Sequence, residues 1–384
     1  MQEYNKHGIV MNSTLEIAKK LISFPSVTPN DAGALDYIKE LLESAGFVVI
    51  IKQFGEVRNL YAERGEGGQN LCFAGHIDVV DPIDKSLWNS DPFEPCEKDG
   101  FLYGRGATDM KTAVAAGLDA AMSFVKQNKD HKQKISFLIT SDEEVGSPDG
   151  TLGMLKWLYA EGYKIDFAII GEPTCEKEIG DIIKIGRRGS VNFKLQIHGV
   201  AGHAAYHEQA VNPVKIAAKV VNALYELKLD SGNANFDPSN LEVTNIYVGN
   251  ESTNVIPANT DIYFNIRFNN EYKGKELHDI IYNKIISIHS KIDLHTHYSA
   301  ESFLVQKTSF HHDFASIVEK NCGVRSRFAT NGGTSDARFI KDYCNLLEFG
   351  VVNTSAHKIN EFVKISDLQT LKNVYYDAIS RFCI

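Results

Sequence analysis

The sequence has no C-x-x-C pair. Its cysteines, Cys72, Cys96, Cys175, Cys322, Cys344 and Cys383, are scattered over 384 residues. That argues against a thiolate zinc site and against a disulfide framework, so the cysteines read as reduced thiols, some buried in strands. No apolar stretch reaches the ~18 residues that a membrane-spanning helix needs. The first residues, MQEYNKHGIVMNSTLEIAKK, lack the charged-then-apolar pattern of a secretory signal. A cytoplasmic protein with no membrane partner is the expectation. No basic run occurs and the net charge is −9, which argues against nucleic acid as a partner. An anionic small molecule stays open, because a few placed arginines set a local field. There is no internal repeat and no low-complexity linker.

What is present reads as a globular chain, with 43% apolar and 23% charged residues. Its length predicts two domains, each able to bury its own core. Residues 1–10 precede any periodicity. Ser13-Thr14-Leu15-Glu16 fits a capping box, followed by a helical stripe at Leu15, Ala18, Leu21 and Ile22. A second helix is predicted from Asp31 to Ala45, closed by Gly46. FVVIIKQ, NLYAE, LCFAG, KISFLIT and DFAII read as strands, and Ala113 to Ala121 lie on a small-residue helix suited to close packing. Strands alternating with helices imply a mainly parallel sheet.

After Arg187-Arg188-Gly189 the pattern changes. SVNFKLQIHG and DIYFNIRF alternate, placing Val191, Phe193, Leu195 and Ile197, then Ile262, Phe264, Ile266 and Phe268, on one face. With helices over 211–227 and 275–289, and strands near 241–249 and 291–299, the order is β-α-β-β-α-β, the split βαβ arrangement. Residues 189–302 therefore read as an inserted domain. The first domain, 1–188, resumes over 303–384 and ends in a helix from about Asp367.

Three predicted strands of the first domain end in possible ligands: His76, the Glu143-Glu144 pair and Glu172. Parallel sheets gather ligands at the carboxyl ends of their strands. Strand alternation puts His76 and Asp78 on one side, where the carboxylate could fix the imidazole tautomer. Asp109, in GRGATDMK, sits where a helix N-cap would sit. With His357 these residues make a plausible two-metal set of imidazoles and carboxylates. Two divalent ions ~3.5–4 Å apart need a shared carboxylate to offset their repulsion. Adjacent Glu143 and Glu144 need not face one metal; one can bind while the other handles protons. An acidic helix start at Asp142-Glu143-Glu144 is the simpler alternative.

In chain order, GHIDVV, LYGRGATDMK, SDEEVGS, GEPT, GRRGS, HGVAGHAAY, NVIP, NGGTSDARF and HKINE resemble the motifs of the M20 dizinc amidohydrolases, from Met11 onward. The resemblance implies a zinc-peptidase-like α/β catalytic domain and a ferredoxin-like α+β dimerisation, or lid, domain. His76 and Glu172 would bind one zinc, Glu144 and His357 the other, and Asp109 would bridge. That gives two Zn²⁺ per subunit, with Co²⁺ able to substitute. Asp78 would orient His76. Glu143 would be the general base that takes a proton from the attacking water and later returns one to the leaving amine. His203 would polarise the scissile carbonyl, with Tyr206 and Asn254 reaching the site from the lid. The resemblance further implies a homodimer in which each chain lends His203 to its partner's site.

Within the family the match is best to enzymes hydrolysing a small N-succinyl amide with three carboxylates. A sister deacylase or dizinc carboxypeptidase with the same metals is the alternative, and a decayed, non-catalytic scaffold is disfavoured because every ligand is present. For an anionic substrate, Arg187 and Arg267 are candidates for bidentate carboxylate binding, with Arg188 as a neighbour. Gly333 and Thr334, in a Gly-Gly loop before a short helix, are expected to cradle a carboxylate. Asn353 would add a hydrogen bond. His207, Thr112 and Asp81 stand where the family usually has Pro, Gly and Pro. They bear on loop shape and substrate fit.

Overall fold

The computed structural model describes residues 13–146 and 148–383. The expectation for residues 1–10 lies outside them. Two compact units make up the chain: one takes in residues up to Ile185, Val305–Ala329 and Ser335 onward, the other Gly186–Leu304 and Thr330–Thr334.

The first unit is built on an eight-stranded sheet. Its order is Val48–Phe54, Val57–Arg64, Lys134–Thr140, Asn70–His76, Phe167–Ile170, Asn345–Glu348, Ile182–Lys184, Arg327–Ala329. The middle strands, from Lys134–Thr140 to Asn345–Glu348, run parallel to one another. The hairpin Val48–Phe54/Val57–Arg64 adds antiparallel at one side. NLCFAGH is buried almost throughout, as a central parallel strand covered on both faces must be. The Lys111–Gln127 helix packs on that strand and on the terminal helix Ile365–Cys383. Its run of Ala113, Ala115, Ala116, Gly117, Ala120 and Ala121 is buried, because side chains this small let a helix backbone lie close to its neighbours. No helix among the described residues is long and apolar enough to cross a membrane.

The first helix starts at Ser13, but its buried face is Thr14, Ile17, Ala18, Leu21 and Ile22, with Leu15 only half-buried. The second begins at Ala34, not Asp31, after Gly33 in the left-handed region at φ 89. Three-residue strands, Cys96–Lys98, Phe101–Tyr103 and Phe362–Lys364, form a small sheet that the sequence did not announce. Segments so short carry too few residues for alternation to register.

The second unit is a four-stranded antiparallel sheet in the order Asn240–Tyr247, Asn259–Phe268, Gly189–His198, Ile292–Ala300, with helices Pro213–Tyr225 and Gly274–Ile286. The predicted inward residues pair across the central strands: Val191 with Ile266, Phe193 with Phe264, Leu195 with Ile262. The Phe193 and Phe264 rings stack at 4.7 Å. Val220, Leu224, Leu277, Ile281 and Ile285 of the two helices close the same core. The unit extends to 186–304 because Phe303 and Leu304 pair with Arg187 and Gly186. Residues 330–334 join it through the Gly333 carbonyl, which accepts from Arg187 at 3.1 Å.

Candidate functional site

The adjacent parallel strands Lys134–Thr140, Asn70–His76 and Phe167–Ile170 end side by side. His76 closes the middle one. The first runs into a turn carrying Glu143 and Glu144, and the third leads through Gly171 to Glu172. That turn is not a helix start, since the next helix begins at Thr151. Asp109 arrives on the loop before the Lys111–Gln127 helix. It is not the cap: Met110 holds that position and no side chain caps the helix. His357, at φ 64, comes from the loop after Asn345–Glu348. A Cβ on Gly350 would lie 2.4 Å from the Glu172 carbonyl oxygen and 2.6 Å from that of Gly171. Only glycine lets the chain leading to His357 pass so close to the Glu172 strand.

Asp109 lies between two imidazoles. His76 Nε2 is 3.2 Å from Asp109 Oδ1 and 3.8 Å from Glu172 Oε1. His357 Nε2 is 3.1 Å from Glu144 Oε1 and 3.4 Å from Asp109 Oδ2. Each oxygen of one carboxylate thus serves a different histidine. In each trio, His76/Asp109/Glu172 and Asp109/Glu144/His357, the ligand-type atoms lie within 4.8 Å of one another.

Asp78 works differently from the sequence expectation. His76 Nδ1 hydrogen-bonds to the Asp78 backbone carbonyl at 2.9 Å, while the carboxylate is 3.6 Å away. The Asp78 carboxylate instead accepts the backbone N–H groups of Glu143 and Glu144, both at 3.2 Å. It thereby ties the end of one strand to the turn that follows its neighbour. The two glutamates are separated by this turn: Glu144 reaches His357, whereas Glu143 belongs to neither trio.

The electrostatics follow from crowding acid groups in a buried place. Burial, with the Glu172 charge, pushes the Glu143 carboxyl well above its usual range. Burial pushes Asp78 up to about 6. Burial would also raise Asp109, but hydrogen bonds from His357 and His76 outweigh it and hold that carboxyl well below its usual range. The same bonds from Asp109 and Glu144 lift His357 to about 10. Buried carboxylates in excess of imidazoles are costly without further positive charge. The donor set, imidazole nitrogen and carboxylate oxygen, is one that suits Zn²⁺.

The second unit carries the remaining predicted residues, Asn353 apart, in two places. His203 and Tyr206 have ring centroids 5.6 Å apart. Asn254 joins them through its carbonyl, which accepts from the Ala204 N–H at 2.9 Å. His203 Nδ1 accepts from the Ala205 N–H at 3.1 Å, and the side chain is exposed. In the other place, Arg187 is buried against Gly333. Arg267 is half-buried, and burial together with the Arg188 charge pushes its pKa down. Arg188 itself donates to Asn240 at 2.8 Å. The Gly-Gly loop does precede a short helix. The helix beyond it, Ala337–Ile340, is four residues long, and the intervening Ser335 hydroxyl is buried on Glu348 at 3.0 Å. Asn353 is exposed, and its backbone N–H donates to the Cys175 carbonyl at 2.7 Å.

The family model of peptidase family M20/M25/M40 matches residues 72–381. The chain belongs to that family. It is 52% identical over 369 residues to the succinyl-diaminopimelate desuccinylase of Rickettsia akari, covering 94% of this chain and 97% of the relative. It is 50% identical over 368 residues to that of Rickettsia bellii, covering 94% of each. Among solved structures, an M20 family metallo-carboxypeptidase from Sulfolobus solfataricus superposes with a TM-score of 0.80 at 16% identity, covering 97% of this chain and 99% of the other. A dinuclear metal binding peptidase of the same family from Bacillus subtilis gives 0.70 at 15% identity, covering 97% and 98%. The two sheets are thus those of the M20 fold. One buried residue of this M20 chain had no assigned role in the sequence reading. Glu361 closes the HKINE motif, four residues after His357, and touches the Asp109 loop. A glutamate that near a candidate ligand was the available signal.

Proposed function

We propose that the chain is a succinyl-diaminopimelate desuccinylase. It hydrolyses N-succinyl-LL-2,6-diaminopimelate to succinate and LL-2,6-diaminopimelate, in the cytoplasm, for lysine and diaminopimelate biosynthesis. The substrate rests on half-identity along nearly the whole length of relatives with that name. The chemistry rests on one observation, that Asp109 turns a different oxygen to each of two imidazoles.

On this reading His76 and Glu172 hold one Zn²⁺, Glu144 and His357 a second, and Asp109 is shared, with Co²⁺ able to replace zinc. Bound zinc supplies Lewis acidity at the scissile carbonyl and lowers the pKa of water. Glu143, bound to neither trio and poised high by burial, takes the proton of the attacking water and passes it to the leaving amine. His203 Nε2 donates to the carbonyl oxygen as negative charge develops there. Arg187 and Arg267 hold substrate carboxylates, with Tyr206, Asn254, Gly333, Thr334 and Asn353 completing the contacts. Arg267 and Arg188 support this role, since two neighbouring cations, one half-buried, favour an anionic ligand.

The active form is a homodimer through the second unit, each chain lending His203 to the partner's site. The edge strand Asn240–Tyr247 supports such pairing: it is bonded on one side only and exposes Ile246 and Tyr247.

Zinc-loaded protein should contain two ions per chain and prefer the succinyl substrate to N-acetylornithine. One charge-assisted contact is worth roughly 1.5–3 kcal/mol, or about 10–150-fold in kcat/KM. Equal turnover of both substrates would move the chain to a sister deacylase. A single tight ion, unaffected by His357→Ala, would end the dinuclear reading. By the same magnitude, Arg187→Ala and Arg267→Ala should each cost about 10–150-fold in kcat/KM with metal content unchanged. Steady-state kinetics beside elemental analysis tests this, and two variants with wild-type kinetics would remove both arginines from the site.

A further inference from the structure

The loop that carries Asp109 contains backbone N–H groups that no regular element satisfies, and a buried N–H needs an acceptor. One side chain supplies it. Glu361 is fully buried. Its Oε2 accepts from Arg105 Nη1 and from the Gly106 N–H, both at 2.9 Å. Its Oε1 accepts from the Thr108 N–H at 2.7 Å and from the Asp109 N–H at 3.0 Å. Both oxygens therefore act only as acceptors, which an ionised carboxylate provides. Gly106 is held at φ 86, where a Cβ would meet Lys111 and Val79 at 2.9 Å, so the loop has little freedom to find other partners.

The same residue belongs to the loop of His357. Its carbonyl accepts from the Gly104 N–H at 3.0 Å. Arg105 also donates to the Lys358 carbonyl at 3.2 Å, and the Thr108 and Ser355 hydroxyls meet at 2.8 Å. Beyond Glu361 the chain pairs as Phe362–Lys364 against Phe101–Tyr103. Two loops about 250 residues apart in sequence are thus zipped together, and the Glu361 carboxylate is the point where the zipper meets Asp109.

We infer that Glu361 is a positioning residue for the dinuclear site, fixing the Asp109 loop against the His357 loop so that the shared carboxylate aims one oxygen at each imidazole. The inference rests on the dinuclear reading above. Glutamine at this position keeps the shape but offers only one acceptor oxygen. Its amide N–H₂ must face two of the four donors, so the Asp109 loop shifts. Groups that orient metal ligands typically change affinity or activity by 10–100-fold when altered.

The test compares wild type, Glu361→Gln and Asp119→Asn. Asp119 is also a buried carboxylate, but it is held by the Thr14 and Ser123 hydroxyls, away from both loops. Metal-free proteins are titrated with Co²⁺ by visible absorption, and kcat, KM and Tm are measured. Glu361→Gln should bind at least one ion about 10–100-fold more weakly. Its bound-Co²⁺ spectrum should change, and kcat should fall with KM within about twofold. Asp119→Asn should lose Tm alone. A folded Glu361→Gln with wild-type affinities, spectrum and kcat, even if its Tm falls, overturns the inference and leaves the dinuclear reading standing. Wild type binding one ion overturns both. If Glu361→Gln does not fold, Glu361→Asp goes through the same measurements. It keeps the charge but shortens the reach, and wild-type metal behaviour there is equally decisive against the inference.

Discussion

Glu143→Gln should remove nearly all turnover while both metals stay bound. General acid–base catalysis by a positioned side chain contributes roughly 10²–10⁴-fold, and kcat should fall by that order. The amide has the size of the carboxyl but cannot accept the proton. Glu143 belongs to neither imidazole–carboxylate trio, and its pKa is pushed up by burial and by Glu172, as suits a group that must alternately hold and release a proton. Its neighbour predicts a different phenotype. Glu144 Oε1 is 3.1 Å from His357 Nε2, so Glu144→Gln should weaken one of the two metals, and excess zinc should restore part of its activity. Equal metal loss in the two variants, read by elemental analysis after dialysis, would mean that the pair is assigned the wrong way round.

Mixing two inactive variants should restore activity. His203→Ala removes the proposed donor to the developing oxyanion, a loss on the order of 10²–10³-fold, and Glu143→Ala removes the proposed base. In a two-fold dimer that exchanges His203, a mixed pair places both lesions in one site and neither in the other. Random exchange makes about half the dimers mixed, so roughly a quarter of all sites recover. Subunit exchange is followed independently with two fluorescent labels while hydrolysis is assayed. Exchange without recovery would show that His203 serves its own chain or none. No arrangement of His203 within its own chain restores a complete site on mixing, which gives this experiment its discrimination.

Strand ends explain which parts of the candidate site were legible. His76, the Glu143-Glu144 pair and Glu172 each follow an apolar run long enough to be read as a buried strand, and parallel strands end together. The inserted unit was legible for a similar reason, because alternation in 190–199 and 261–268 names its inward face directly, and the observed register pairs those same residues. Asp78 shows where reading stopped. Alternation correctly put it beside His76, but its carboxylate went to the N–H groups of a turn 65 and 66 residues further along the chain. Residues 330–334 were likewise out of reach: the Gly-Gly turn is visible, but its attachment to the second unit depends on an Arg187 hydrogen bond.

The sequence by itself determined the chemistry available: which imidazoles and carboxylates exist, on which strand ends and loops they sit, and that the two units have different sheets. Those properties are local, set by side-chain identity and by periodicities of a few residues. Only the tertiary structure decided how the groups divide. It gave Glu144 to His357 and left Glu143 apart, because the Asp78 carboxylate pins the turn by both amides. It turned one Asp109 oxygen to His76 and the other to His357, because Glu361 locks two loops that the chain keeps far apart. Such hydrogen bonds join residues with no periodic relation in sequence, so no local pattern announces them.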